Sequence, residues 1–350
     1  MLPWSSPSST IPPTFCPTNP HQGERRRIAW DDRVHLHPAD QGECDSDVPS
    51  RTDPNDLHPA ENRKVGGSIP SLPTMSARVG GAMTGRDRQP VRGVALSSDG
   101  IPLSFEVRGS GTPALVFVHG WSCDRRYWSG QLAAFSDRHR VVAVDLAGHG
   151  ESGGGRQGWT MAAFGDDVAA VVRHLGLGEV VLIGHSMGGD VVVETGLRLG
   201  DQVLGVVWAD TYDTLGDPPT RAELEEFVAP FREDFVAAAA ALVRRMAGPA
   251  AADLVEWVAA DISAAPPKIA IEMIEHAVGN EPAVLAALPK LTAPVVAINP
   301  GYRPTDTEAL RRHGVRAVVM PGVGHFLMLE DPGAFNRLLG AVVDELGRAH

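Results

Sequence analysis

A serine lies at the centre of the motif Gly184-His185-Ser186-Met187-Gly188, between a short apolar run and a helix-like stretch. The pattern G-x-S-x-G between a strand and a helix is typical of a sharp turn that exposes a nucleophilic serine. Gly184 and Gly188 lack the Cβ atoms that would clash in so tight a turn. We therefore predict that Ser186 is a catalytic nucleophile. The alternative is a glycine-rich turn that happens to contain a serine.

A histidine near the end of the sequence is the candidate base. A serine hydroxyl is a poor nucleophile at its own pKa and needs a base to remove its proton. His325 follows the last predicted strand, in the segment Met320-Pro-Gly-Val-Gly-His-Phe326. An imidazole titrates in the range that suits both the removal and the return of a proton. We predict His325 as the general base, and we expect His185 to make only packing or supporting contacts.

Acyl transfer also requires hydrogen-bond donors for the negative charge that develops on the carbonyl oxygen. The amide of Met187, directly after the nucleophile, is one candidate. The second is the amide of Trp121, in the loop His119-Gly120-Trp121-Ser122 that follows an apolar run. These two backbone groups are the predicted oxyanion hole. His119 is expected to hydrogen-bond within its loop and to transfer no proton.

Short apolar runs alternate with helix-like segments from residue 91 onwards. The predicted strands are Val91–Leu96, Ile101–Val107, Ala114–Val118, Val141–Val144, Val180–Ile183, Val203–Ala209, Val295–Ile298 and Ala317–Met320. Continuous apolar runs are expected for strands that are buried on both faces. The alternation predicts an α/β fold, with a mostly parallel sheet of about eight strands covered by helices on both faces.

A segment without a clear strand, residues 214–290, separates the sixth and seventh predicted strands. Its helical patterns cover Arg221–Met246, Ala252–Ile262 and Pro267–Ala277. The segment is too long for an ordinary loop. We predict a helical cap over the carboxyl edge of the sheet, where ligands bind in open α/β folds. Four large apolar side chains in it favour an apolar enclosure: Phe227, Phe231, Trp257 and Met273.

The first part of the sequence has a different composition. Residues 1–88 are rich in Pro, Ser, Asp and Arg and show no sustained periodicity, which predicts a disordered extension before a domain over residues 89–350. Met75 and Met83 precede the periodic pattern, and we hypothesise that translation starts at one of them.

Composition excludes several classes of function. The formal net charge of -12 argues against a general surface for nucleic acid or anionic membranes. No apolar run approaches the roughly 18 residues that would predict a membrane span. Of the three cysteines, only Cys123 lies in the predicted domain, which leaves no internal disulfide there and favours a cytoplasmic location. No spacing of Cys and His residues predicts a metal site.

Four motifs in this order resemble the α/β-hydrolase family. They are His119-Gly120-Trp121, Asp145-Leu-Ala-Gly-His-Gly-Glu-Ser152, Gly184-His-Ser-Met-Gly-Gly189 and Gly322-Val-Gly-His-Phe326. The resemblance covers residues 91–350, including the predicted cap. It implies a Ser–His–acid triad that acts on a small-molecule substrate, without a metal or an organic cofactor.

The acid is where this sequence departs from that family. Family members usually place it after the seventh strand, but here that strand runs into Asn299-Pro-Gly-Tyr302, which has no carboxylate. Two candidates remain between the serine and the histidine. Asp210 ends the sixth predicted strand, a position that some family members use. Asp306 lies a few residues past the usual site and is equally suited to cap a helix. We prefer Asp210, and Asp306 stays open.

The resulting expectation is a serine hydrolase that cleaves an ester-like bond of a small, apolar substrate, of the carboxylesterase or lactonase type, through an acyl-enzyme. Hydrolysis of a C–C bond or perhydrolysis at the same site is the first alternative, because both reactions use the same constellation. The second alternative is a ligand receptor on the hydrolase fold with little turnover.

Overall fold

The computed structural model describes residues 90–249 and 252–348. The predicted N-terminal extension and both candidate start methionines lie outside the described residues. Eight strands form one sheet: β1 (Val91–Leu96), β2 (Pro102–Arg108), β3 (Ala114–Val118), β4 (Val141–Val144), β5 (Val180–His185), β6 (Val203–Ala209), β7 (Val295–Pro300) and β8 (Val315–Met320). The sequence-based prediction of an α/β fold with a mostly parallel sheet of about eight strands is confirmed.

Eleven α-helices occur in the described residues. They are α1 (Ser129–Phe135), α2 (Met161–His174), α3 (Met187–Leu199), α4 (Arg221–Glu233), α5 (Phe235–Met246), α6 (Ala252–Ser263), α7 (Pro267–Val278), α8 (Glu281–Ala287), α9 (Thr307–Arg312), α10 (Leu327–Glu330) and α11 (Pro332–Arg348). Helix α2 packs against α3, and α1 packs against α11.

The strands run in the order β1-β2-β4-β3-β5-β6-β7-β8. Strand β2 is antiparallel to both of its neighbours, and every other neighbouring pair is parallel. Every residue of β3, β4, β5 and β6 is buried, as expected for central strands that are covered on both faces.

The register of the central strands aligns their carboxyl ends. Val118 of β3 pairs with Gly184 of β5, and His185 of β5 pairs with Ala209 of β6. The residues that follow these strands therefore begin at one edge of the sheet, which is the edge where open α/β folds bind ligands. Three of the predicted site segments share this edge: the loop after β3, the turn at Ser186 and the residue Asp210.

Five helices, α4 to α8, lie in the chain between β6 and β7, and we call residues 214–290 the helical insertion. The prediction of one helix over Arg221–Met246 is wrong, because the helix is interrupted at Asp234, which separates α4 from α5. Asp234 has the extended backbone angles φ −145° and ψ 92°, and its side chain accepts a hydrogen bond from the amide of Ala237 at 3.0 Å. Helix α8, which begins at Glu281, was not expected from the sequence pattern.

Across residues 90–249 and 252–348, no helix is both long enough and apolar enough to cross a bilayer.

Replacing Asp234 by alanine removes the N-cap of α5. We expect the free energy of unfolding to fall by about 1 kcal/mol, since the Ala237 amide then loses its side-chain acceptor. Chemical denaturation of the purified variant measures the change. Glu233→Ala, one residue earlier and also exposed, is the matched control and should stay within about 0.5 kcal/mol of the parent. Equal losses in both variants would contradict the capping role.

Candidate active site

Ser186 occupies a strained turn between β5 and α3. Its backbone angles are φ 52° and ψ −122°, a conformation that non-glycine residues rarely adopt. Its amide donates to the carbonyl of Ala209 at 3.0 Å, and its carbonyl accepts from the amide of Gly189 at 2.8 Å. A Cβ atom at Gly184 would collide with the backbone of Gly188. The two motif glycines are therefore required by the close approach of strand and helix.

His325 lies in the loop between β8 and α10. Its amide donates to the carbonyl of Met246, the last residue of α5, at 3.0 Å. The carboxylate of Glu330 accepts from the amides on either side of the histidine, Gly324 at 2.7 Å and Phe326 at 3.1 Å. Glu330 thus fixes the backbone that presents the imidazole. The sequence analysis missed this role, although an acidic residue just beyond a glycine-rich loop is a recognisable signal for it.

The histidine ring meets the carboxylate of Asp210. Nδ1 of His325 lies 2.6 Å from Oδ2 of Asp210, and both side chains are buried. A carboxylate only accepts, so Nδ1 carries the proton and Nε2 is left free to take one. Asp210 follows β6 directly, its amide donates to the carbonyl of Ile298 at 3.1 Å, and its backbone has the unusual φ of 48°.

Asp306, the other candidate acid, lies elsewhere. Its Oδ1 accepts from the amide of Ala309 at 2.9 Å, which makes it the N-cap of α9. Its own amide donates to the carbonyl of Asp213 at 2.7 Å. The structure therefore brings Asp210 to His325 and uses Asp306 to begin a helix.

Arg303 lies in the segment after β7, close to Asp210. Its Nη2 lies 3.3 Å from Oδ1 of Asp210, and its Nε lies 3.1 Å from Oδ2 of Asp213. Burial alone would raise the pKa of Asp210, but the nearby His325 and Arg303 outweigh burial and hold that pKa below its usual range. The segment after β7 thus supplies a cation that stabilises an ionised acid on the neighbouring strand. Sequence reasoning did not identify Arg303.

The two predicted oxyanion donors lie on opposite sides of the nucleophile in the chain. Met187 is the first residue of α3, so its amide is among those that a helix leaves without an internal partner. The side chain of Trp121 donates from Nε1 to the carbonyl of Ala270 on α7 at 2.7 Å. Its ring also makes edge contacts with Phe231 and Phe235. The loop after β3 is therefore attached to the helical insertion.

Two buried histidines, His119 and His185, form hydrogen bonds to the backbone around the candidate site. His119 uses both ring nitrogens within the fold, with Nδ1 2.8 Å from the carbonyl of Gly120 and Nε2 accepting from the amide of Leu146 at 3.0 Å. Nε2 of His185 lies 2.9 Å from the carbonyl of His325. Burial, together with the neighbouring His325, lowers the pKa of His185 to about 3. His185 is therefore neutral at pH 7 and holds the backbone of the candidate base.

A cavity of about 380 Å³ joins these groups. Ser186, Asp210 and His325 all line it, together with Trp121 and Met187. The helical insertion contributes one cation, Arg245, and seven apolar side chains to the lining: Phe227, Leu242, Met246, Ile262, Ile274, Ala277 and Val278. Of the four apolar side chains singled out in the sequence, Phe227 lines the cavity. Phe231 packs on Trp121, Trp257 packs on Tyr127, and Met273 is buried away from the cavity lining.

A second carboxyl group lines the same cavity. Asp190 lies in the first turn of α3, is only 3% exposed, and accepts a hydrogen bond from the Tyr212 hydroxyl at 2.9 Å. Burial raises the pKa of Asp190 to about 7. No role was assigned to it from the sequence, although a carboxyl group four residues after the predicted nucleophile, directly before the apolar run Val191-Val192-Val193, was a visible signal.

No group of three or more His, Cys, Asp or Glu side chains that could hold a metal ion is found among the described residues.

Comparisons with known proteins agree with the fold. The sequence profile described as "Alpha/beta hydrolase family" matches residues 115–338. The "Non-heme haloperoxidase" of Rhodococcus erythropolis is 42% identical over 105 residues, which are 30% of this chain and 38% of that protein. A solved structure of a thermophilic esterase from Thermogutta terrifontis superimposes with a TM-score of 0.62 and 26% identity, over 74% of this chain and 99% of that one.

The enol-lactonase from Burkholderia xenovorans LB400 has the same fold, with a TM-score of 0.61 at 21% identity over 73% of this chain and 100% of that one. The matches to the curated relatives span less than two thirds of those proteins' lengths. Because the family profile covers more than half of the sequence, the chain belongs to the alpha/beta hydrolase family.

The titration of Asp190 predicts a pH dependence of stability. Its folded-state pKa is about 7, above the ordinary aspartate value, so the folded protein keeps this proton while the unfolded chain loses it. The free energy of unfolding should therefore decrease as pH rises from about 4 to about 7, with no further change from this group above that. Asp190→Asn removes this loss. Between pH 5 and pH 8 we expect the variant to gain on the order of 2 kcal/mol relative to the parent.

Urea denaturation of both proteins at the two pH values measures this gain. Glu194→Gln, one turn further along α3, controls for the loss of a negative charge from the helix. A stability difference between Asp190→Asn and the parent that is the same at both pH values would contradict the prediction.

Proposed function

We propose that the protein is a serine hydrolase that cleaves carboxylic esters or lactones through an acyl-enzyme. The observation that carries the proposal is the 2.6 Å contact between His325 and Asp210, in the cavity that also holds Ser186 on its strained turn. A carboxylate-oriented imidazole that shares a cavity with a serine on a strand–helix turn supports activation of the hydroxyl for attack on a carbonyl.

The reaction follows from the positions of these groups. Nε2 of His325 takes the proton from the Ser186 hydroxyl as its oxygen attacks the ester carbonyl carbon. The amides of Met187 and Trp121 receive the negative charge that develops on the carbonyl oxygen. The protonated His325 then gives its proton to the departing alcohol. Water, activated by the same imidazole, hydrolyses the acyl-enzyme and restores Ser186.

Asp210 acts on the histidine and not on the substrate. Its carboxylate keeps the proton of the neutral imidazole on Nδ1 and stabilises the imidazolium that forms during attack. Arg303 keeps this carboxylate ionised despite its burial. The acid is thus held charged by a neighbour that itself remains partly exposed.

The substrate proposed is small and mainly apolar. The cavity of about 380 Å³ lies within the usual size range of small-molecule sites, and the wall from the helical insertion is largely apolar. We assign the insertion the role of a cap that closes over the substrate. The similarity to an esterase and an enol-lactonase supports an ester or lactone as the bond that is cleaved.

Perhydrolysis is a second candidate, because the relative with 42% identity over 105 residues is described as a haloperoxidase. Hydrogen peroxide would replace water in the attack on the same acyl-enzyme and release a peracid. Peracid formation from an acetate ester and hydrogen peroxide is measured alongside hydrolysis of the same ester, and the two rates give the ratio of perhydrolysis to hydrolysis. A ligand receptor of this fold would show neither.

Covalent catalysis predicts a burst of product. With p-nitrophenyl butyrate in rapid-mixing experiments, we expect a rapid release of p-nitrophenol approaching one equivalent, followed by slower turnover, if deacylation limits the rate. Ser186→Ala should lower kcat by a factor on the order of 10⁶, since the attacking group is lost. Comparable turnover by this variant would contradict the nucleophilic role of Ser186.

The two candidate acids can be separated by a matched pair of substitutions. Asp210→Asn should lower kcat by a factor on the order of 10⁴, because the amide favours the wrong histidine tautomer. Asp306→Asn should stay within about threefold of the parent, since asparagine is as good an N-cap as aspartate. Steady-state kinetics with the same ester measures both. The assignment of Asp210 fails if its variant loses less than about tenfold.

A further inference from the structure

A carboxyl group without a part in the proposed acyl transfer faces the substrate cavity. Asp190 lies in the first turn of α3, four residues after Ser186, which is the N-cap of that helix. Both residues line the cavity of about 380 Å³. The cavity therefore holds a hydrogen-bonding carboxyl group in addition to the proposed nucleophile.

The surroundings of Asp190 hold the carboxyl group in place. The Tyr212 hydroxyl, on the segment after β6, donates to its Oδ1 at 2.9 Å. The side chain of Asn280 also faces it, and the acidic groups nearby are Glu194 on α3 and Glu281 on α8. A carboxyl group has about four acceptor positions, so these contacts leave capacity for a further donor.

Keeping a carboxyl group at this depth carries a cost. The group is 3% exposed, and burial shifts its pKa to about 7, so the fold is less stable at neutral pH than it would be with an uncharged side chain there. Titratable groups that are perturbed by burial and that lie in a cavity are frequent at functional sites. The helical insertion lines the same cavity with apolar side chains and Arg245, and Asp190 adds a hydrogen-bonding carboxyl group to it.

We propose that Asp190, positioned by Tyr212, is a specificity residue that accepts a hydrogen bond from a hydroxyl group of the substrate. The preferred substrates are then hydroxy-substituted esters or lactones. This inference rests on the proposed function, because it names the substrate class of the same site.

The proposal extends to the position of the hydroxyl on the acyl chain. Ser186 precedes α3 and Asp190 lies in its first turn, so the carbonyl under attack and the hydroxyl that Asp190 binds lie apart along the cavity. A hydroxyl on the third or fourth carbon of the acyl chain reaches such a position, whereas one on the second carbon lies too close to the carbonyl. The expected substrates are 3-hydroxy and 4-hydroxy acyl esters.

The experiment compares matched esters with and without the hydroxyl. Methyl 3-hydroxypentanoate, methyl 4-hydroxypentanoate and methyl pentanoate are assayed by pH-stat at pH 8, and the ratio of kcat/KM for each hydroxy ester to that for the plain ester is the readout. We expect at least one ratio to exceed about 5 in the parent protein. Asp190→Leu should lower that ratio by at least about tenfold, since a site built to bind a hydroxyl loses its partner.

Two further variants keep the test valid if the leucine variant does not fold. Asp190→Asn retains a neutral, weaker acceptor, and Tyr212→Phe removes the hydroxyl that positions the carboxyl group. Both variants should therefore lower the ratio of kcat/KM values, but by a smaller factor than Asp190→Leu. Glu194→Gln is the matched control on the same helix, and its ratio should equal that of the parent. In the parent the ratio should rise between pH 6 and pH 8, because the ionised carboxylate is the stronger acceptor.

The outcomes separate the inference from the proposed function. If all three esters are hydrolysed but the parent shows no preference, or if the variants of Asp190 and Tyr212 lower all rates equally, Asp190 has only a structural role and the inference is wrong. If the parent hydrolyses neither these esters nor p-nitrophenyl butyrate, the proposed function itself is wrong, and the inference falls with it.

Discussion

The hydrogen bond from the amide of Ser186 to the carbonyl of Ala209 couples the candidate nucleophile to the candidate acid. It lies at the point where the parallel strands β5 and β6 end, and the residues on either side of it are Ser186 and Asp210. Both adopt positive φ angles, and the hydroxyl of Thr211 donates to the carbonyl of Ser186 at 3.2 Å. The distance between nucleophile and acid is therefore set by the register of two buried strands, which loop motion cannot easily change.

This placement supplies the proposed acid from the end of β6. Asp210 is deeply buried, and burial disfavours its charged form. The neighbouring His325 and Arg303 offset this effect. The proposed acid thus follows β6, and one of the groups that stabilise its charge follows β7.

Sequence patterns were sufficient where the signal is local. Ser186 lies in a motif that needs only its own strand and helix, and the central strands β3 to β6 are short, mostly apolar runs whose burial follows from composition. His325 could be singled out from the sequence for the same reason, since its loop follows a predicted strand directly. These elements depend on interactions within a few residues of the motif, and a single sequence carries that information.

The remaining features depend on contacts between distant segments. Asp210 and Asp306 are both aspartates in loops at the edge of the sheet, and only the path of the segment after β7 decides that one meets the imidazole while the other caps α9. The break at Asp234 replaces one amphipathic helix by two, although the apolar spacing continues across it. Asp190 and Arg303 could be seen as unusual charges, but their partners, Tyr212 and Asp210, lie far from them in sequence.

The attachments of the helical insertion have a mechanical consequence. The insertion holds the loop after β3 through the bond from the Trp121 side chain to Ala270, and it holds the backbone of His325 through the carbonyl of Met246. Any displacement of these helices that admits a substrate therefore pulls on the amide proposed to receive the oxyanion and on the proposed base at once. On the proposed function, the catalytic groups would be aligned only while the helical insertion encloses the substrate. Exchanging the insertion for that of a relative would then alter reactivity as well as selectivity.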